Sequence, residues 1–381
     1  MRTLRRRLMT SYANLDLPIK WKDEQVAKWA SEKGLKTRRD CMKMGSIGEA
    51  DFSGNTELLD FPELKLFTGI KETEFKAFFK CTNLTHVSLP EGLTSIGTGS
   101  FARCASLSSI DLPRNLATIG DYAFQDCSSL THIELPYGLT SIGKGSFIRC
   151  ASLSSIELPR SLATIGDYAF QECSSLTHIE LPYGLTSIGK SSFIRCASLS
   201  ITKIPDSVTS IGVQAFWGCK GITHLELPKG IKAIDEGAFL YCTNMTIDKL
   251  PDGLTAIEGF TFSHCQSLAI TELPSGVASI GAHAFFDCPK LALTELPEGV
   301  TTIGYGDSNI TRLKVLSPTP PSLDLAEGLN NFPSVTQLYV PDDSLEAYKA
   351  ADGWGKMADR IHPMSEWVRA LAGREEGEDG R

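Results

Sequence analysis

Ten of the eleven cysteines in this chain fall on one arithmetic series: Cys81, Cys104, Cys127, Cys150, Cys173, Cys196, Cys219, Cys242, Cys265 and Cys288. The step is 23 residues throughout (288 − 81 = 207 = 9 × 23), with no insertion or deletion. A phenylalanine stands three residues before each cysteine, from Phe78 to Phe285, and a proline nine residues after each, from Pro90 to Pro297. A fixed period of this length is the mark of a solenoid, in which each coil packs only on its neighbours and the core grows along one axis.

One coil shows how the period folds. From Cys127 the chain reads C-S-S-L-T-H-I-E-L-P-Y-G-L-T-S-I-G-K-G-S-F-I-R. Ile133 and Leu135 alternate as in a short strand, and Pro136, which lacks a backbone donor, ends the ladder. Leu139 and Ile142 form a second apolar pair, Gly143 allows a turn, and Phe147 with Cys150 returns the chain to the interior. The Ser-Phe-Ile-Arg-Cys stretch predicts a helical turn or a short 3₁₀ segment on the convex side. Coils stacked at strand spacing lie about 4.8 Å apart, so ten of them make a rod of about 50 Å. The predicted fold is therefore a leucine-rich repeat solenoid of the β-rich α/β class. It has about ten regular 23-residue coils with one short parallel strand each, closed by caps at both ends. Identical residues form ladders of Phe, of Cys and of Ile from Ile96 to Ile303; at position 311 the cysteine gives way to Thr311 and the register ends.

The expected organisation has four parts. Residues 1–75 are a basic helical cap, 76–310 the regular repeats, 311–365 degenerate repeats with a C-terminal cap, and 366–381 a disordered, charge-rich tail. Within the first cap a helix is expected from Asp23 to Lys33, with Val26, Trp29 and Ala30 on one side; Leu58, Leu59, Phe61, Leu64, Leu66, Phe67 and Ile70 cover the first coil. Near the other end, Leu313, Val315 and Leu316, then Val335, Leu338 and Val340, read as degenerate strands, and Ser344–Ala351 as a closing helix. Residues 1–44 carry about +7 against −8 for the whole chain. Such an arm can dock on an acidic partner, nucleic acid or an anionic membrane, or it can be the solvated polar end piece that a solenoid needs. The end-piece reading is the simpler. No stretch is apolar for the roughly 18 residues of a membrane span, and the basic start has no apolar run behind it of the kind a secretory signal carries.

The cysteines read as small buried core residues. Zinc sites bring cysteines in close pairs, which are lacking here, and a ladder of one per coil offers disulfide partners only along the stack. A second level of repetition also exists: residues 104–149 and 150–195 differ at only four places (Asp111/Glu157, Asn115/Ser161, Asp126/Glu172 and Gly145/Ser191), a tandem copy of a two-coil unit. In the coils from Cys196, Cys242, Cys265 and Cys288 one apolar residue moves forward by one place, to Ile201, Ile247, Ile270 and Leu293. The concave face, which carries the outward strand residues, should change character near residue 200.

Coils of the form L-x-x-I-x-L-P-x-x-L-x-x-I-G-x-x-A-F-x-x-C, as in residues 120–127 and 212–219, resemble the BspA-like class of leucine-rich repeats. Residues 52–70 resemble the lead-in segment of Bacteroides-type members, and residues 338–354 their closing segment. The resemblance implies a right-handed solenoid without enzymatic activity, in the setting of surface-exposed or secreted proteins used for adhesion or host-protein binding. No calcium site is carried over, because Lys36-Thr37-Arg38-Arg39-Asp40 stands where some relatives have an acidic loop.

Outward strand positions fall five and seven residues after each cysteine. The first gives His86, Ser109, His132, Ser155, His178 and His224; the second gives Asp111, Glu134, Glu157, Glu180 and Glu226. A histidine row beside a carboxylate row suits a basic partner, with affinity tuned by His protonation. The plainer alternative is a solvated face copied by duplication. Histidines recurring every second coil, about 10 Å apart, cannot share one metal ion. Carboxylates in a regular row do not converge as acid/base catalysis requires, and no Ser/His/Asp constellation, phosphate loop or H-E-x-x-H motif is read in the sequence. Asn83, Asn244 and Asn309 begin N-x-T triplets and read as turn residues. Two functions follow. The first is a non-enzymatic scaffold that binds a protein or glycan, with no cofactor and no nucleic acid, through Ser109, Asp111, His132, Glu134, Ser155, Glu157, His178, Glu180, His224 and Glu226. The second is a structural component (stalk, spacer, virion or surface-layer subunit) docked through the basic N-terminal region.

Overall fold

The computed structural model describes residues 15–304, 310–323 and 334–367. Their backbone forms a parallel β-solenoid of 23-residue coils with little helix. It divides into two compact units. The first runs to Leu185 and also takes in Ser192–Leu199; the second comprises Thr186–Ser191 and the chain from Ser200 onward.

Each coil of the first unit has three sides. On one, short strands at His132–Ile133, Ser155–Ile156 and His178–Ile179 pair in parallel, His132 and His178 both opposite Ser155. Strands Asp60–Phe61, His86–Ser88 and Ser109–Asp111 do the same ahead of them. These strands are shorter than the sequence suggests: the ladder ends before the proline, and Leu135 is half-buried. The second side was not expected to be a sheet. The Ser/Thr-Ile pairs Ser95–Ile96, Thr118–Ile119, Ser141–Ile142 and Thr164–Ile165 form a parallel ladder, each isoleucine opposite the next, one period away. The row glycine after each isoleucine permits close approach. A Cβ on Gly166 would lie 2.7 Å from the backbone carbon of Gly143 and 2.7 Å from the nitrogen of Lys144.

The third side corrects the expected helical turn. Turn bonds are present, such as Gln125 N–H to Tyr122 O at 3.1 Å and Cys127 N–H to Phe124 O at 3.2 Å. They do not propagate into a helix because two residues per coil are left-handed. Among the described residues, every non-glycine residue with positive φ belongs to one of two 23-residue series. One contains Tyr122 (56°) and Tyr168 (60°), the other Asp126 (60°) and Arg149 (56°), and glycine fills the rows at Gly99, Gly145, Gly218 and Gly237. A left-handed non-glycine residue is strained by about 1–2 kcal/mol. The alternation turns three N–H groups of each coil toward the next: Tyr122 to Lys144 O at 2.7 Å, and Phe124 to Ser146 O and Asp126 to Ile148 O, both at 2.8 Å. Satisfying buried backbone donors offsets that strain.

Inside, the ladders stand as the period requires. Phe78, Phe101, Phe124, Phe147, Phe170 and Phe193 are fully buried, with successive rings stacked 5.0–5.5 Å apart. All ten periodic cysteines are free and buried. Eight of the thiols, those of Cys104, Cys127, Cys150, Cys173, Cys196, Cys242, Cys265 and Cys288, donate to the carbonyl of the phenylalanine 26 residues earlier, as in Cys127 to Phe101 O at 3.1 Å and Cys150 to Phe124 O at 3.1 Å. The isoleucine row from Ile96 to Ile303 is buried throughout.

The N-terminal cap imitates a coil. Helix α1 (Glu24–Glu32) is capped by Asp23, whose carboxylate accepts from Gln25 and Val26, and it buries Val26, Trp29 and Ala30. Helix α2 (Arg38–Lys43) starts with a capping box made by Thr37 and Asp40, and α3 (Glu49–Phe52) follows. Phe52 stacks on Phe78 at 5.3 Å and its carbonyl accepts from the Cys81 thiol at 3.0 Å, so it supplies what a preceding coil would. Trp29 packs against Phe52, Phe61 and Phe67. Leu58, Leu64 and Ile70 join this core, but Leu59 points outward at 55 % exposure, because its N–H is drawn to Asp23 and its carbonyl accepts from Thr85. The first 14 residues, with Arg2, Arg5, Arg6 and Arg7 of the basic arm, lie outside the described residues.

In the second unit the Ser/Ala-Ile ladder is kept, with Ser187–Ile188, Ser210–Ile211 and Ala233–Ile234 pairing in turn, then Ala256–Ile257, Ser279–Ile280 and Thr302–Ile303. The other sheet is nearly lost: isolated bridges join Lys203 to Glu226 and His224 to Thr246, and strands return only at Glu295–Leu296. The cause is the moved apolar residue. Ile201, Ile247, Ile270 and Leu293 are buried, and so are Ile204, Leu250, Leu273 and Leu296 beside the prolines. Two inward residues three apart cannot both face inward on an extended strand, so the chain bends instead of flipping its pattern. Strands Arg312–Val315, Gln337–Val340 and Ile361–Pro363 close the unit. They are joined by α4 (Leu345–Ala350), whose Tyr348 donates to Ser317 O at 2.8 Å, while Trp354 donates to Pro321 O at 2.8 Å. Residues 368–381 of the expected disordered tail, and Asn309, lie outside the described residues.

Candidate partner-binding surface

In the first unit the strand side presents the predicted polar rows. Ile110, Ile133, Ile156 and Ile179 point inward, so Ser109, His132, Ser155 and His178 point outward by alternation. Asp111, Glu134, Glu157 and Glu180 follow two residues on, and all four are exposed. The row is not uniform. Toward the cap the polar groups are tied to one another: His86 Nδ1 meets Ser109 Oγ at 2.9 Å, His86 Nε2 meets Ser88 Oγ at 3.1 Å, and Ser88 Oγ donates to Asp111 Oδ2 at 2.6 Å. This groups a serine, a histidine and an aspartate, but not as a nucleophile relay. The Ser88 hydroxyl directs its proton at the Asp111 carboxylate, so the histidine is not positioned to take it.

Farther along the pairing stops. Among the described residues, Glu134, Glu157 and Glu180 make no ion pair or hydrogen bond through their side chains, and neither do His132 and His178. Three carboxylates one coil apart repel one another across about 4.8 Å steps. A cationic group laid across them relieves that repulsion. His224 and Glu226 belong to the second unit, where His224 Nδ1 lies 3.3 Å from Thr246 Oγ1 and 3.9 Å from Asp248.

Other charges are already used. On the turn side Arg149 makes a two-point contact with Asp126, at 2.5 and 3.1 Å, and Arg103 and Arg195 lie 3.7 Å from Asp126 and Glu172. Asn83 and Asn244, the described N-x-T asparagines, donate to Thr56 O and Lys220 O, which makes them turn braces. Burial pushes the thiols of Cys196, Cys242 and Cys288 up to about 12, so they are neither nucleophiles nor ready ligands. Among the described residues no cluster of three His, Cys, Asp or Glu side chains could hold a metal ion. None of the described helices is long and apolar enough to cross a membrane.

Sequence reading passed over one row. Ten residues after each cysteine, in the turn that follows the proline, stand Arg114, Tyr137, Arg160 and Tyr183, all exposed; Tyr137 is 93 % and Tyr183 75 % open to solvent. The signal was an aromatic residue set between proline and glycine, where burial has no use for it.

Comparison with known proteins agrees with this architecture. The family description "BspA type Leucine rich repeat region (6 copies)" matches residues 45–176, 94–223, 140–267 and 210–316. A leucine-rich repeat protein from Bacteroides ovatus superposes with a TM-score of 0.62 at 26 % identity, over 84 % of this chain and 87 % of that one. The T. pallidum Leucine Rich Repeat protein is 35 % identical over 40 % of this chain and 72 % of its own, with a TM-score of 0.38. A leucine rich cell surface protein from Faecalibacterium prausnitzii is 23 % identical over 62 % of this chain and 79 % of that one, also at 0.38. No curated protein matches the sequence.

Proposed function

We propose, for a chain that belongs to the BspA-type leucine-rich repeat family, a role as a non-enzymatic scaffold that captures a basic protein partner on the strand side of its first unit. The family's solenoids commonly bind proteins or stand on surfaces. Within that frame the single supporting observation is the run of unpaired carboxylates at Glu134, Glu157 and Glu180, flanked by His132, Ser155 and His178. Asp111 and Ser109 extend the row but are held by His86 and Ser88. Rigid strands and hydrogen-bonded turns fix the positions of these groups before binding, which lowers the ordering cost of association. Complementary charge sets partner choice and association rate.

The test is capture of proteins from an extract by the immobilised full chain, compared with an E134K/E157K/E180K variant and repeated at rising salt. Capture should fall with salt, because exposed charges are screened beyond about 8 Å at physiological ionic strength, and be abolished by the triple variant. Equal capture by both chains overturns the reading. The assembly alternative gains no comparable observation, since Arg2, Arg5, Arg6 and Arg7 of its docking arm fall outside the described residues.

A further inference from the structure

The post-proline row of the first unit has a period of its own. Its residues alternate, Arg114, Tyr137, Arg160, Tyr183, so that the two-coil duplication gives one tyrosine every 46 residues. The four turns are stacked neighbours: a Cβ on Gly138 would lie 3.9 Å from Arg114 O, and one on Gly184 3.6 Å from Arg160 O. Each tyrosine sits inside a closed turn, Leu139 N–H to Pro136 O and Leu185 N–H to Pro182 O, both at 3.0 Å. Ser161 Oγ adds a bond to Tyr137 O at 2.6 Å. The rings therefore project from a fixed backbone, two coils or about 10 Å apart. Among the described residues none of the four side chains has a hydrogen bond, ion pair or ring contact.

We propose that this row is a docking track for an uncharged, linear β-1,4-linked glycan, whose disaccharide repeat matches the two-coil step. Every second sugar presents an apolar face to a tyrosine ring, while Arg160 between the rings and Arg114 beyond Tyr137 donate to the hydroxyls of the sugars in between. Three features select this occupant. The rings stand singly, each one coil from Arg160, with no surrounding apolar patch of the kind that desolvates the core of a protein hot spot. Their spacing is periodic, which suits a periodic ligand. Glu134, Glu157 and Glu180 lie three residues before Tyr137, Arg160 and Tyr183 and repel a polyanionic chain, so the glycan is neutral. This goes beyond the protein-binding role and uses different side chains.

Calorimetric titration of the full chain with cellohexaose and chitohexaose tests it, with maltohexaose and cellobiose as controls. At least one β-1,4-linked hexasaccharide should bind, cellobiose should bind more weakly because it cannot bridge both rings, and α-linked maltohexaose should not bind. A Y137A/Y183A variant should lose about tenfold or more in affinity, equivalent to about 1.4 kcal/mol. Y137F/Y183F, which keeps the rings, should stay within a small factor of the parent. Because both tyrosines are exposed, the melting temperature should be unchanged in either variant. The proposal is overturned if neither hexasaccharide binds, if maltohexaose binds as well, or if Y137A/Y183A binds undiminished. It is also overturned if Y137A/Y183A loses protein capture while the parent binds no glycan, which would assign the row to a protein interface. Glycan binding that survives E134K/E157K/E180K supports the track whatever that variant does to protein capture.

Discussion

The buried thiols make the fold sensitive to alkali, and the size of the effect follows from their position. Burial pushes Cys196, Cys242 and Cys288 up to about 12, whereas a thiol in an unfolded chain titrates near about 8.5. Above that pH the unfolded chain sheds protons that the folded chain keeps, so stability falls as pH rises. The contribution is intact below about pH 8.5 and is lost as pH climbs through about 12. Each thiol removes about 1.4 kcal/mol per pH unit over that interval. At pH 10 this is about 2 kcal/mol per thiol, or about 6 kcal/mol for the three, within the range of a typical domain's whole stability of about 5–15 kcal/mol. Urea unfolding followed by tryptophan fluorescence at pH 7.5, 8.5, 9.5 and 10, with reductant present, reads it directly. Subtraction against Cys242→Ala removes the background from tyrosine and lysine titration. The variant should start less stable at neutral pH and lose about 2 kcal/mol less than the parent on going to pH 10. A midpoint that does not move between pH 8.5 and pH 10, or a variant as pH-sensitive as the parent, would refute the reasoning.

Two further substitutions probe the packing. Phe147→Ala removes a fully buried ring stacked on Phe124 and Phe170 at 5.3 and 5.4 Å, and should cost about 3–5 kcal/mol in urea unfolding; a loss below about 1 kcal/mol contradicts the stacked ladder. Gly166→Ala sets a methyl group 2.7 Å from the backbone of Gly143 and Lys144, atoms that cannot swing aside. It should destabilise by about 1–3 kcal/mol, and a neutral result in thermal melts would mean that the coils are not in such close contact.

What could be read from the sequence was what repeats. The inward ladders of Phe, Cys and Ile were legible because each ladder is one residue type at one interval, and a buried position restricts residue type strongly. Helix α1 was legible from Asp23 and the spacing of Val26, Trp29 and Ala30. The ladder from Ser95–Ile96 to Thr164–Ile165 was not, since a strand of two residues is too short to show alternation. The left-handed turns were hidden because Lys80, Arg103, Asp126, Arg149 and Glu172 share no chemistry; only the glycines at Gly99, Gly145, Gly218 and Gly237 hinted at them. The outward orientation of Ser109, His132, Ser155 and His178 follows from strand parity around the buried Ile110, Ile133, Ile156 and Ile179; the grouping of coils into two units, with His224 and Glu226 in the second, is not encoded by a period alone. The exposed tyrosines were overlooked because attention to a repeat favours what is kept in every coil over what alternates.

The recurring hydrogen bond from a coil's cysteine to the phenylalanine carbonyl of the coil before it has a genetic corollary. Because Cys127 treats Phe101 as Cys173 treats Phe147, neighbouring coils are interchangeable parts, and a 46-residue segment can be gained or dropped in frame with every junction still satisfied. Nearly identical tandem copies are substrates for slipped replication and unequal crossing-over. The gene can thus vary the reach of its product in two-coil steps, adding or removing one tyrosine and its share of carboxylates each time, without having to evolve a new fold.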